Sequence, residues 1–282
     1  MAASPLEAAY DHCRAVARGH YENFPVASLA VPARIRPHVC AVYAFARSAD
    51  DFADEAEHEG RRLERLDAWE AELDRALAGT TSDPVFLALG DTIRRFDLPD
   101  RLLRDLLDAF RQDCRVRRYA RFEDLLDYSR RSANPVGRLV LLLFGERDEA
   151  KALRSDAICT ALQLTNFWQD VAVDLEKDRI YLPEEDRLRH GVTEAALREG
   201  RVDDAFRALM AEMTARTRDL YAEGAPLLDA VRGRLRLELR LVVAGGTRIL
   251  HRLESGGYDV FRRRPRLALA DWAAIGARAL FP

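Results

Sequence analysis

Two short stretches carry paired carboxylates at helical spacing. "YAFARSADDFADE" (Tyr43 to Glu55) sets Asp50 and Asp54 four residues apart, and "LTNFWQDVAVDLEKDRIYLP" (Leu164 to Pro183) does the same with Asp170 and Asp174. On a helix, residues i and i+4 stand one above the other, about 6 Å apart along the axis. Two carboxylates so placed among apolar neighbours repel each other, and a shared cation is what makes such a pair tolerable. Hard oxygen donors on a rigid helix, with positions left for water and phosphate oxygens, suit Mg²⁺. The chemistry this offers is neutralisation of the charge that grows on a departing diphosphate.

Each stretch alone has a blander reading. "SADDFADE" could be a solvated acidic helix end, and Asp174 with Lys177, or Asp178 with Arg179, could be surface partners. The missing loop glycine argues against an EF-hand at "DVAVDLEKD". Joint occurrence favours the functional reading. Tyr43-x3-Arg47-x2-Asp50-x3-Asp54 and Gln163-x2-Asn166-x3-Asp170-x3-Asp174 each fall on one helical stripe. Phe45, Phe52, Phe167 and Trp168 lie beside the motifs, where aromatic faces could stabilise a carbocation; plain core packing is the commoner role. Arg262, Arg263 and Arg264 in "YDVFRRRPR" read as a solvated basic loop, with phosphate or an anionic membrane surface as the functional alternative.

The elements that must carry these residues are helical. Ala, Leu, Arg and Glu dominate, and apolar residues recur every three or four positions in "RRLERLDAWEAELDRALAG", "RLLRDLLDAFRQDCRVR", "DDAFRALMAEMTARTRDLYAEGAPLLDAV" and "LRLELRLVVAGGTRILHRLE". No alternating β-branched run is present, so no sheet is expected. Breaks fall at "AGTTSDP", "DLPD", "GERDEA", "YLPEEDRLRHGVT" and "SGGYDVFRRRP". None has the length of a domain linker, and the 282 residues predict one all-α domain. The periodic runs imply about ten helices around a common core. With 48% hydrophobic residues there is ample material for that core. A net charge of -3 gives no basis for a nucleic-acid surface. Cys13, Cys40, Cys114 and Cys159 are scattered without a CxxC, which predicts reduced thiols in a cytoplasmic protein. No signal peptide and no spanning segment is read. Peripheral contact with the inner membrane face stays compatible, and oligomeric state is left open.

The two motifs, "RIYLP" after the second, and their separation resemble the squalene/phytoene synthase family, over a match from about His20 to Phe261. The resemblance implies an all-α isoprenoid synthase fold with helices around a central cavity. It implies that Asp50, Asp54, Asn166, Asp170 and Asp174 hold Mg²⁺ and that Tyr43 faces the reacting carbons. Arg47, His20, Arg131, Asn134, Gln163, Asn166 and Gln169 would line the prenyl diphosphate site. Departures from the family pattern narrow this. "HYENF" carries Glu22 and Asn23 where most members have a basic residue near the early His. Gln169 replaces an Arg, Val173 replaces an acidic residue, and Arg131 stands where many members have Tyr. Fewer cations should weaken a second diphosphate site. "HYENFPVAS", "ANPVGR" and "TNFWQDVAVD" are similar to the HpnC-type hydroxysqualene synthase branch of hopanoid biosynthesis. That branch takes presqualene diphosphate, expels diphosphate and captures water. The alternatives are presqualene diphosphate, squalene or phytoene synthesis, and, of another class, a non-catalytic assembly factor. Four intact aspartates count against the last.

Overall fold

The computed structural model describes residues 4–19, 31–268, 271–272 and 275. Fourteen α-helices occur among the described residues. They are α1 (Pro5–Gly19), α2 (Arg36–Asp54), α3 (Arg62–Ala78), α4 (Pro84–Phe96), α5 (Asp100–Asp113), α6 (Phe122–Ser132) and α7 (Asn134–Leu143). Then follow α8 (Glu149–Gln169), α9 (Val171–Glu176), α10 (Glu184–His190), α11 (Glu194–Arg198), α12 (Asp204–Gly224), α13 (Leu227–Ala230) and α14 (Gly233–Ser255). Among the described residues there is no strand, only one isolated bridge joining Arg118 to Ile180. The all-α expectation is met.

The helices beyond the expected ten are short, and α10 corrects the sequence reading. "YLPEEDRLRHGVT" was expected to be a loop, yet its middle is helical. Pro183 at the N-cap offers no side-chain cap, but other signals for a helix are present: Glu184, Glu185 and Asp186 in the first turn, and Arg187, Arg189 and His190 in the last. These charges complement the helix dipole. Gly191 closes the helix with φ at 73°, a conformation that costs glycine nothing.

The chain's contacts group into two compact units. The first comprises residues 1–115 and 135–148, the second 116–134 and 149–282. In the first unit, α2 presents Ala41, Ala44, Phe45, Ala49 and Ala53 to the interior, all essentially inaccessible. Small residues at helical spacing let α1, α3, α4 and α5 approach closely. Phe45, Trp69 and Phe86 form an aromatic cluster there, and Trp69 Nε1 donates to the Phe45 carbonyl at 3.3 Å. Complete burial of a side chain such as Phe45 contributes about 2–3 kcal/mol. Phe45 is therefore core, the commoner of its two readings.

In the second unit, α8 packs on α12 and α14. Trp168 is fully buried, and its Nε1 donates to Thr217 Oγ1 at 2.8 Å. Tyr221 Oη and Thr165 Oγ1 share a hydrogen bond of 3.1 Å. Opposite that hydroxyl stands Gly246, where an added Cβ would lie 1.9 Å from Tyr221 Oη. Only glycine allows α14 this close. Trp168, like Phe45, serves the core.

Candidate functional site

The first motif lies on α2, in the first unit. Its helix runs unbroken from Arg36 to Asp54, because no helix breaker intervenes after Pro37 in the opening turn. Arg47 supplies the local counter-charge. Its Nη1 donates to Asp50 Oδ2 at 3.1 Å and its Nη2 to Asp51 Oδ1, while Nε is buried with no partner among the described residues. Asp50 keeps 46% of its side-chain surface exposed. Tyr43, one turn before Arg47, is half-buried; burial raises its phenol pKa, so the hydroxyl stays protonated at neutral pH. The structure thus places Tyr43, Arg47, Asp50 and Asp54 on one helix, as their spacing predicts.

The second motif lies where α8 ends and α9 begins, in the second unit. Asp170 takes φ −106° and ψ 12°, which interrupts the helix at the first aspartate of the pair. The backbone ladder still runs through the break: Asp170 N donates to Asn166 O at 2.9 Å, and Asp174 N to Asp170 O at 2.8 Å. A continuous helix was expected here, and a joint is found. Asn166 is exposed, Gln163 and Asp174 are half-buried, and Asp170 is buried with 8% exposure.

The buried Asp170 has a partner that the sequence did not reveal. Arg264 donates from Nε and from Nη2 to the two carboxylate oxygens, the latter at 3.0 Å. Beside it, Gln169 Nε2 donates to the Pro265 carbonyl at 2.5 Å. Arg264 is therefore not part of a solvated basic loop. No spacing rule links positions 94 apart, so nothing local could have found it.

A second feature missed in the sequence is aromatic. The "RIYLP" segment folds against residues 117–120, with Ile180 N donating to Arg117 O at 2.9 Å and Glu184 N to Tyr119 O at 2.9 Å. Tyr181 then stacks on Phe167 with ring centroids 3.7 Å apart, and Tyr119 and Tyr128 complete the cluster. All four are buried. The cluster fixes the segment that follows the second motif.

The remaining expected site residues are placed as follows. Asn134 is buried and accepts a hydrogen bond from Thr160 Oγ1 at 2.9 Å, tying the α6–α7 corner to α8 within the second unit. Arg131 donates from Nη2 to Asp127 Oδ2 at 2.8 Å. His20, Glu22 and Asn23 lie outside the described residues. Among the described residues no group of three or more His, Cys, Asp and Glu side chains forms a metal cage. Each motif instead offers carboxylates in pairs, the donor set Mg²⁺ takes when water and phosphate oxygens complete its shell. The donors fit that ion. No helix among the described residues is long and apolar enough to cross a membrane.

The chain resembles known proteins over nearly its whole length. The crystal structure of squalene synthase HpnC from Alicyclobacillus acidocaldarius superposes with a TM-score of 0.86 at 44% identity, covering 90% of this chain and 95% of that one. Phytoene synthase of Thermus thermophilus is 36% identical over 265 residues, 94% of this chain and 90% of its own. Hydroxysqualene synthase of Rhodopseudomonas palustris is 35% identical over 237 residues, 83% of this chain and 80% of its own. The squalene/phytoene synthase model matches residues 17–271, and the chain belongs to that family.

Proposed function

We propose that this protein converts presqualene diphosphate and water to hydroxysqualene and diphosphate in a Mg²⁺-dependent reaction. Asp50 and Asp54 in the first unit, and Asn166, Asp170 and Asp174 in the second, are the residues that would hold Mg²⁺. When bound, Mg²⁺ supplies charge neutralisation to the departing diphosphate. Arg47 adds a guanidinium for phosphate oxygens, at a site where charge develops and fixed donors count most. The C–O bond breaks, its electron pair leaving with diphosphate. The rearranged cation is then captured by a water oxygen, which loses a proton. Tyr43, protonated and half-buried, presents a phenol ring and a hydrogen-bond donor rather than a base.

One observation carries the choice of substrate. Gln169 stands where many family members have an arginine, and its amide is committed to the Pro265 carbonyl. A position that could grip a second diphosphate thus brings no charge. Likeness to a hydroxysqualene synthase supports the same reading, whereas the structure called squalene synthase HpnC leans by its name to the second. The second reading, head-to-head coupling of two prenyl diphosphates, is favoured by the likeness to a phytoene synthase. Purified protein with Mg²⁺ should turn over presqualene diphosphate far faster than farnesyl diphosphate. In ¹⁸O-water the product should be a labelled alcohol, at a rate indifferent to NADPH. Efficient coupling of farnesyl diphosphate by the protein alone would establish the second reading instead.

A further inference from the structure

Asp170, the most enclosed carboxylate of the two pairs for which a partner is defined, is met on both oxygens by one guanidinium, donating from Nε and Nη2 of Arg264. The planar fork of arginine matches a carboxylate, and a paired, charge-assisted contact of this kind is among the stronger side-chain interactions. The Asp170 side chain keeps 11% of its surface and that of Arg264 33%, so the pair is only partly screened by water. A guanidinium and a divalent cation cannot both sit on the same lone pairs, because they repel at contact distance.

A second contact holds the same segment. Gln169 donates to the Pro265 carbonyl, so two consecutive residues at the end of α8 grip two consecutive residues of the chain's C-terminal segment. Farther along, Asp271 accepts hydrogen bonds from Arg248 Nε at 2.7 Å and from the Ala268 amide at 2.7 Å, and it also pairs with Arg252. The segment is thus anchored to α14 beyond residue 268 by contacts independent of Asp170. Residues 264–265 can leave Asp170 without the tail coming away.

We infer that Arg264 is a positioning residue that acts through Asp170: it is the resident counterion of that carboxylate and gives it up when a divalent ion binds. Metal affinity at the second motif and docking of residues 264–265 on α8 are therefore coupled, and by linkage each weakens the other equally. This rests on the reading of Asp170 as a metal ligand.

The test uses the full-length protein without substrate and Mn²⁺ as the probe, read by electron paramagnetic resonance and by hydrogen–deuterium exchange. Arg264→Gln should bind Mn²⁺ roughly tenfold tighter than the wild type, the scale of one charge-assisted contact removed from competition. Arg264→Lys, which keeps the charge but loses the fork, should fall between them, and circular dichroism should show that both variants fold. In the wild type, Mn²⁺ should raise deuterium uptake across residues 261–268; in Arg264→Gln, uptake there should be high from the start and unmoved by metal. Equal affinities, or uptake indifferent to Mn²⁺ in the wild type, would overturn the coupling. So would the absence of Mn²⁺ binding in all three proteins. Wild-type turnover with Mg²⁺ and with chelator tests the functional reading separately: metal-dependent turnover with equal Mn²⁺ affinities rejects the coupling alone, and chelator-resistant turnover rejects the metal site itself.

Discussion

In the first aspartate motif Asp50 is paired with an arginine of its own helix, whereas in the second Asp170 is paired with an arginine 94 positions away. Arg47 reaches Asp50 and Asp51 one turn along α2, and Asp50 remains half-exposed. Asp170 sits at a helix joint, buried, and is met by Arg264 from the C-terminal segment. A pair within one helix whose carboxylate is half-exposed, as Asp50 is, is worth little and fades with salt. A buried carboxylate without its partner is costly. The two motifs thus offer similar donors, and the second ties its electrostatics to tertiary structure.

Chemistry gives the largest expected contrast. If both motifs hold metal, Asp54→Asn and Asp170→Asn should each lower turnover of presqualene diphosphate by about 100-fold or more, the scale of losing an electrostatic element at a leaving group. EDTA should abolish wild-type activity and Mg²⁺ restore it. A large loss confined to Asp170→Asn would break the equivalence of the motifs and leave the first with a binding role only.

Packing around the second motif comes next. Gly246→Ala drives a methyl group to 1.9 Å from Tyr221 Oη, a hydroxyl held by Thr165 beneath α8. Overpacking there should cost about 3 kcal/mol. Its neighbour is the control: among the described residues a Cβ on Gly245 meets only Leu267, at 3.6 Å. Gly245→Ala should be neutral or stabilise by about 0.5 kcal/mol through helix propensity. Urea denaturation measures both, and equal effects would show that the close approach of α14 is relaxed in solution.

Removing the counter-charges tests the comparison directly. Without metal, Arg264→Gln should destabilise by about 2 kcal/mol, less than for a fully buried pair because Arg264 is one-third exposed. Arg47→Gln should cost below about 1 kcal/mol. Salt at about 1 M, where screening acts within about 3 Å, should erase the Arg47 effect and spare most of the other. Similar costs for the two variants would mean that both motifs are neutralised alike.

What could be read from the sequence follows the same division. Tyr43, Arg47, Asp50 and Asp54 were legible because one turn of helix relates them, and the i, i+4 rule carries no tertiary information. Asp170 and Asp174 were legible as a pair, but the joint at Asp170 was not, since no proline or glycine marks it. Arg264 was out of reach because its contact depends on how the C-terminal segment returns to α8. Helix α10 is a different case: its charges and its closing Gly191 were present, and the dense turn residues of "YLPEEDRLRHGVT" outweighed them.

The smallest effect concerns the loop after the second motif. Asp178 has φ of 55°, in the left-handed region, and its Oδ1 accepts from Arg118 Nη2 at 2.8 Å and from Arg198 Nη2 at 2.7 Å. The hydrogen bond from Arg118, then that from Arg198, holds its carboxyl down to about 2, below the usual 3.8. A pKa depressed by folding gives stability that is fully present above the unfolded value and is lost as the pH falls through the folded one. The contribution should therefore be intact at pH 5 and vanish toward pH 2. Asp178→Asn isolates it, because asparagine removes the charge and tolerates the left-handed backbone. Amide exchange across residues 174–180 should be faster in the variant than in the wild type at pH 5, after correction for intrinsic rates, and the two should converge as the pH drops toward 2. A gap that stays constant over that range would show that the arginines hold this loop through its backbone carbonyls, to which Arg117 and Arg118 also donate, and not through the carboxylate.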